Sequence, residues 1–304
     1  MLLYHIDGVR INDSWYVRKD GVYHTFFLAY GEDEPTEGQW DRQRVGHMIS
    51  TDLITWEDRG IALCPQSDGW NDKGIATGSV VPCGDVFYML YSGNATDPAR
   101  EGIGLAVSRD LDTWERLGDG PVIFKGKPYA FSYGKETVHG LPIADPYVYP
   151  EPIDGNYYIF VNGHIAENPV NRRGAQLVFV TRDFRTFTPH AIAVIGECDR
   201  LETAQVWAHD GRFYLYAGQV EMVGQQQRMK NSLYTAEHID GPYTYRGDLA
   251  FPEQPENGML YIAKVLPDPT GRDVLLVNNI PNGVMGAYPV TYHADGTLTL
   301  EAMP

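Results

Sequence analysis

The stretch GVYHTFFLAY, Gly21–Tyr30, opens on a turn glycine and runs at once into aromatic and β-branched side chains, the composition of a pleated strand. Four later stretches repeat it: DVFYMLYSGN from Asp85, GNYYIFVNG from Gly155, GRFYLYAGQ from Gly211 and RDVLLVNNI from Arg272, with starts separated by 64, 70, 56 and 61 residues. Each is followed by a strand, a polar turn and a short strand, in VGHMISTDLITWED, IGLAVSRDLDTWER, QLVFVTRDFRTFTP, SLYTAEHIDGPYTY and GAYPVTYHADGTLT. Each is also preceded by an earlier strand-like run, such as ATGSVVP before Gly84-Asp85 or ETAQVWAHD before Gly211. A repeat of roughly 60 residues holding about four short strands is one propeller blade, and five blades close a ring. The expectation is therefore an all-β chain, residues 1–304, forming a single five-bladed β-propeller of four-stranded antiparallel blades around a central funnel. A β-sandwich would also be strand-rich, but it lacks a fixed repeat of this length.

Composition narrows the partners. A formal net charge of −16 leaves no basic stripe for nucleic acid and repels anionic membranes, so a neutral or cationic small ligand is expected. The N-terminus has neither a basic nor an apolar leader-like region and no window approaches a membrane span, which reads as a cytoplasmic protein. Cys64, Cys83 and Cys198 form no C-x-x-C pair, and are read as buried free thiols. No phosphate loop, nucleophile elbow or metal-ligand spacing occurs, so no cofactor or metal is expected, and the oligomeric state is open.

The acids decide the function class. Asp13 lies eight residues before Gly21, Asp145 ten before Gly155 and Glu202 nine before Gly211, so three carboxylates take matching places in the first strands of three blades. In a propeller those strands line the channel, and the other two blades bring Gly78-Ser79 and Ala263-Lys264 to the same level. Converging acids raise one another's pKa and cost stability, which points to chemistry rather than folding.

These residues carry a family resemblance. Val45–Asp58 resembles the W-G-H-A-x-S-x-D-L-x-x-W segment of glycoside hydrolase family 32, the invertases, inulinases and levanases. NDKGIATGSVV from Asn71 is similar to that family's D-x-x-G-x-x-S-G-S segment, Asn12-Asp13 to the start of its N-D-P-N-G box, Asp145-Pro146 to its R-D-P box and Glu202 to its E-C box. The resemblance runs along essentially the whole chain. It implies a propeller furanosidase with an Asp nucleophile, a transition-state-stabilising Asp and a Glu acid/base, and it makes Asn12, His47, Asp72 and Ser79 candidate substrate contacts. Ala144 stands where the family has an Arg that binds sugar hydroxyls, and the single-propeller reading leaves no C-terminal β-sandwich expected. IADPYVYPEPIDGNYYIF and ETAQVWAHDGRFYLYAG also resemble glycoside hydrolase family 43, inverting arabinofuranosidases and xylosidases.

Cleavage of a glycosidic bond needs one protonated carboxyl for the leaving oxygen and one ionised carboxylate across the ring. Glu202 is the expected donor, its pKa raised by the two aspartates; Asp13 is the nucleophile of a retaining enzyme or the base of an inverting one; Asp145 stays ionised and holds hydroxyls. Trp15, Trp40, Trp70 and Trp207 are candidate sugar platforms, with His139 and His164 near blade three's strands and able to reach the funnel. Trp56 and Trp114 recur at one place in two blades and are assigned to packing. A carbohydrate-binding propeller without catalysis and a phosphorolytic enzyme on the same fold remain alternatives, the second short of an Arg/Lys cluster around Lys264.

Overall fold

A computed structural model describes residues 2–35 and 37–302. It contains five antiparallel sheets arranged in a ring, a five-bladed β-propeller. Their innermost strands are Val9–Lys19, Gly74–Cys83, Glu136–Val148, Arg200–His209 and Met259–Pro267, and each packs on the innermost strands of its two neighbours, which closes the ring. The second strands, Val22–Gly31, Val86–Asn94, Tyr157–Ile165, Arg212–Val223 and Asp273–Ile280, are the five aromatic stretches that set the sequence repeat.

Local chemistry accounts for the hairpins. Asp20-Gly21, Asp154-Gly155 and Asp210-Gly211 each place two consecutive residues at positive φ, the geometry that a tight turn matching strand twist requires and that Asp-Gly tolerates best. Between blades the packing is apolar: Val81, Leu90 and Leu105 of the second blade meet Val148, Ile159 and Leu177 of the third in one buried cluster. Burial of each such side chain is worth about 1.5–3 kcal/mol. The two recurring tryptophans do pack blades, Trp56 against Tyr4 and Tyr16 and Trp114 edge-on to Phe26.

Two features depart from the sequence reading. The fifth blade borrows its outer edge from the other end of the chain: Leu2–Tyr4 pairs with Gly283–Tyr292 alongside Leu298–Leu300. The Tyr4 hydroxyl is buried against Ser14 and Thr25 of the first blade, so this short strand fastens the ring. The cysteines are free, but only Cys198 is buried; Cys64 is exposed because it lies just past an outer strand, and Cys83 is half-buried.

Candidate active site

All five inner strands are interrupted at one level. Ser14, Gly78, Tyr147, Gln205 and Ala263 pair regularly with Phe27, Tyr91, Phe160, Tyr216 and Val277, and just before each the ladder admits one extra residue. Such a bulge bends the strand and re-aims its side chains. Here the left-handed backbone at Asp145, Thr203 and Ile262, with φ of 57°, 51° and 63°, is conformation that side chains other than glycine adopt at a cost. Asp13 and Thr77 each stand one residue before the first regular pair. Asp145 stands two before Tyr147 and Glu202 three before Gln205, so the acids are not in one register as the sequence spacing implied.

Each acid has its own partners. Thr77 donates its hydroxyl to Asp13 Oδ2. Asp145 accepts at Oδ2 from Asn162 Nδ2 at 3.0 Å, and its backbone N–H donates to Ser92 Oγ at 2.9 Å, tying the third blade to the second. Glu202 meets Arg200 Nη1 at 2.8 Å through Oε1 and accepts from the Tyr261 hydroxyl at 3.1 Å through Oε2. Lys264 Nζ donates to the carbonyls of Thr203 at 2.8 Å and Ala204 at 3.1 Å.

Electrostatics joins these groups across four blades. Burial, and then the charge of Asp145, push the Asp13 carboxyl up to about 7, with Thr77 and Lys264 pulling the other way. Burial and Asp145 likewise push Glu202 up to about 7 against the opposing pull of Arg200. Asp13 also bears on Glu202, so these two titrate as a linked pair. Burial holds the Lys264 ammonium down to about 8 despite the attraction of Asp13 and Asp145. One proton near neutrality among converging carboxyls is what acid-assisted bond cleavage requires.

The remaining sequence candidates divide. Asn12, beside Asp13, is buried with both side-chain amide atoms unpartnered among the described residues, a pair of polar atoms suited to hydroxyl groups. Trp40 lies exposed on the short helix Gln39–Asp41, between the second and third strands of blade one and so on the acid side. His139 is an exposed residue facing Glu167, and His164 is half-buried near Asp199.

The other candidates, aromatic platforms and substrate contacts alike, have structural partners. Trp15 is buried in the core of blades one and two, stacked on Phe26, and Trp70 is buried on Tyr91. Ser79 accepts the N–H of Val148 and so locks two blades together. His47 is buried in the third strand of blade one, bonded to His24 at 3.0 Å and stacked on Phe26. Asp72 holds a loop through the N–H of Thr96. Trp207 donates to Tyr292 and, with Trp15 and Ser79, lines a cavity of about 500 Å³ around the strand segments that follow the bulges, towards the end of the channel opposite the acids. Strand periodicity explains the places of Trp15, Ser79 and Trp207, since residues past the bulge turn into the blade contacts or the far mouth.

Sequence reasoning missed Thr77, Ser92, Asn162, Arg200 and Tyr261. Arg200 alone left a signal, two residues before Glu202 on the same strand and so on the same face.

Residues 11–200 match the model of the glycosyl hydrolases family 32 N-terminal domain. The chain belongs to glycosyl hydrolase family 32. Within that family it is 25% identical over 287 residues to the sucrose-6-phosphate hydrolase of Bacillus subtilis (strain 168), covering 88% of this chain and 54% of that protein. A bifunctional fructosyltransferase of Allium cepa is 27% identical over 203 residues, 61% of this chain and 30% of its own. The chain thus spans at most about half of these curated relatives. The Bombyx mori GH32 β-fructofuranosidase BmSUC1 superposes with a TM-score of 0.72 at 16% identity, over 100% of this chain and 65% of that one. A thermostable family-43 glycoside hydrolase superposes at 0.66 and 17% identity, over 97% and 94%. These last two likenesses concern the fold, which families 32 and 43 share. No helix among the described residues is long and apolar enough to cross a membrane.

Proposed function

We propose that this family 32 chain is a glycosidase that hydrolyses a β-fructofuranoside-type bond with retention of configuration, using Asp13, Glu202 and Asp145. The observation that carries the reading is the mutual electrostatic action of these three acids across three blades, which leaves Glu202 able to hold a proton near neutral pH. Glu202 donates that proton to the leaving oxygen. Asp13, in its ionised form, attacks the anomeric carbon, and water activated by Glu202 then releases the sugar. Asp145, fixed by Asn162 and by the Ser92 contact to its backbone, holds hydroxyls of the ring, and the free amide of Asn12 adds a second polar contact. Trp40 is the remaining aromatic platform on the acid side.

The curated relatives include hydrolases of sucrose-6-phosphate, and short fructosides acted on in the cytoplasm are the substrates we favour. A hydrolysis screen over sucrose, sucrose-6-phosphate, inulin, levan, arabinan and aryl arabinofuranosides tests this. Release of fructose from at least one fructoside is expected, and cleavage of arabinosides alone would move the chain's activity to that of family 43.

A further inference from the structure

A lysine is buried at the bottom of the acid site. Lys264 is 5% exposed in a stretch, Met259–Pro267, that is otherwise mostly apolar. Burying an ammonium is expensive unless it is both hydrogen-bonded and paired. Two of its three N–H groups are taken by the Thr203 and Ala204 carbonyls, the two residues that form the bulge immediately after Glu202. Its charge acts on Asp13 and on Asp145. Lys264 borders the cavity on the far side of the channel, and its Nζ stands 5.8 Å from the centre of the Tyr147 ring.

We propose that Lys264 is the positioning counter-charge of the site: pinned by the bulge carbonyls of blade four, its ammonium offsets the charge of Asp13 and Asp145 and at the same time fixes the strand segment that carries Glu202. This rests on the role given to Asp13 above. The groups that face the aspartates are Glu202 from blade four, Thr77 from blade two, Tyr216 and Lys264; Arg200 and Tyr261 act on Glu202. Two cations therefore divide the work, with Arg200 on the acid/base and Lys264 on the two aspartates.

The test is a double-mutant cycle read without substrate, so that it stands or falls apart from the glycosidase reading. Thermal midpoints are measured for the wild type, Lys264→Met, Asp13→Asn and the double variant at pH 5 and pH 8. Lys264→Met is expected to lower the midpoint more at pH 8, where Asp13 is ionised, than at pH 5, and to lower it less in the Asp13→Asn background. An equal loss in both backgrounds and at both pH values would reduce Lys264 to a hydrogen-bonding strut and overturn the proposal. If Lys264→Met alone does not yield folded protein, recovery of a folded Asp13→Asn, Lys264→Met double variant is the predicted result, and failure of both overturns it. Where the single variant folds, the acidic limb of its kcat/KM profile should move up by about one pH unit, because Asp13 then ionises later. An unmoved limb contradicts the proposal, whereas inactivity of the wild type on every fructoside would instead defeat the functional reading and leave the midpoint cycle to decide.

Discussion

Arg200 and Glu202 stand two residues apart on one strand, and the guanidinium Nη1 lies 2.8 Å from the carboxyl Oε1. The pairing draws the glutamate downward against burial and against Asp145, which drive it up. Removing the guanidinium should therefore leave Glu202 protonated to higher pH. For Arg200→Ala the alkaline limb of the kcat/KM profile is expected to shift upward, with activity at the wild-type optimum falling roughly tenfold through loss of positioning. A profile whose limb stays in place would show that Arg200 does not govern the acid.

Asp145 raises both of the other acids, so Asp145→Asn should act in two ways. Glu202 should lose its proton earlier, moving the alkaline limb down, and substrate binding should weaken as the hydroxyl contact is lost. Steady-state kinetics across pH should show KM rising together with a fall in kcat of at least about a hundredfold.

The site also sets how stability follows pH. Asp13 and Glu202 hold protons in the fold up to about 7, above the unfolded value of about 4. Their contribution is therefore complete below about pH 4 and is lost as pH climbs through about 7. Asp13→Asn should raise the thermal midpoint at pH 8 by roughly 2–5 °C while changing little at pH 4. Calorimetry that found stabilisation at pH 4 and none at pH 8 would reverse the sign of this account.

Closure of the ring by Tyr4 gives a prediction far from the chemistry. Tyr4 is 3% exposed, packs on Phe27 and Trp56 and bonds to Thr25. Tyr4→Ala should cost about 3–5 kcal/mol, as large-to-small changes of buried aromatics do. Chemical denaturation checks it, and a cost under about 1 kcal/mol would mean the strand Leu2–Tyr4 is not a fastener.

How much of this was legible from sequence differs by element. The Asp-Gly turns and the aromatic second strands were readable because each is a local signal, and repetition at near-constant spacing made five of them a ring. The three acids were readable by their offsets from those turns. The bulges were not, since one extra residue in a strand of unknown register leaves no mark, and this hid the different offsets of Asp13, Asp145 and Glu202 from their first regular pairs. Lys264 was placed at the right level, but its partners are the carbonyls of Thr203 and Ala204, some 60 residues away, and backbone acceptors have no sequence signature. Trp15, a candidate as an aromatic, and Ser79, a candidate through its motif, lie past a bulge, where strand alternation cannot be counted from sequence, so their packing partners were not legible.

The central claim is that Asp13 and Glu202 cleave a fructofuranoside through a fructosyl enzyme. The most direct measurement is product analysis in the presence of methanol, begun in the first minutes of reaction on a β-fructofuranoside. The wild type is expected to form methyl β-fructofuranoside beside fructose, with Asp13→Asn and Glu202→Gln each at least about a hundredfold slower. First-formed sugar of inverted configuration without the methyl β-product, or unimpaired turnover by Asp13→Asn, would contradict it.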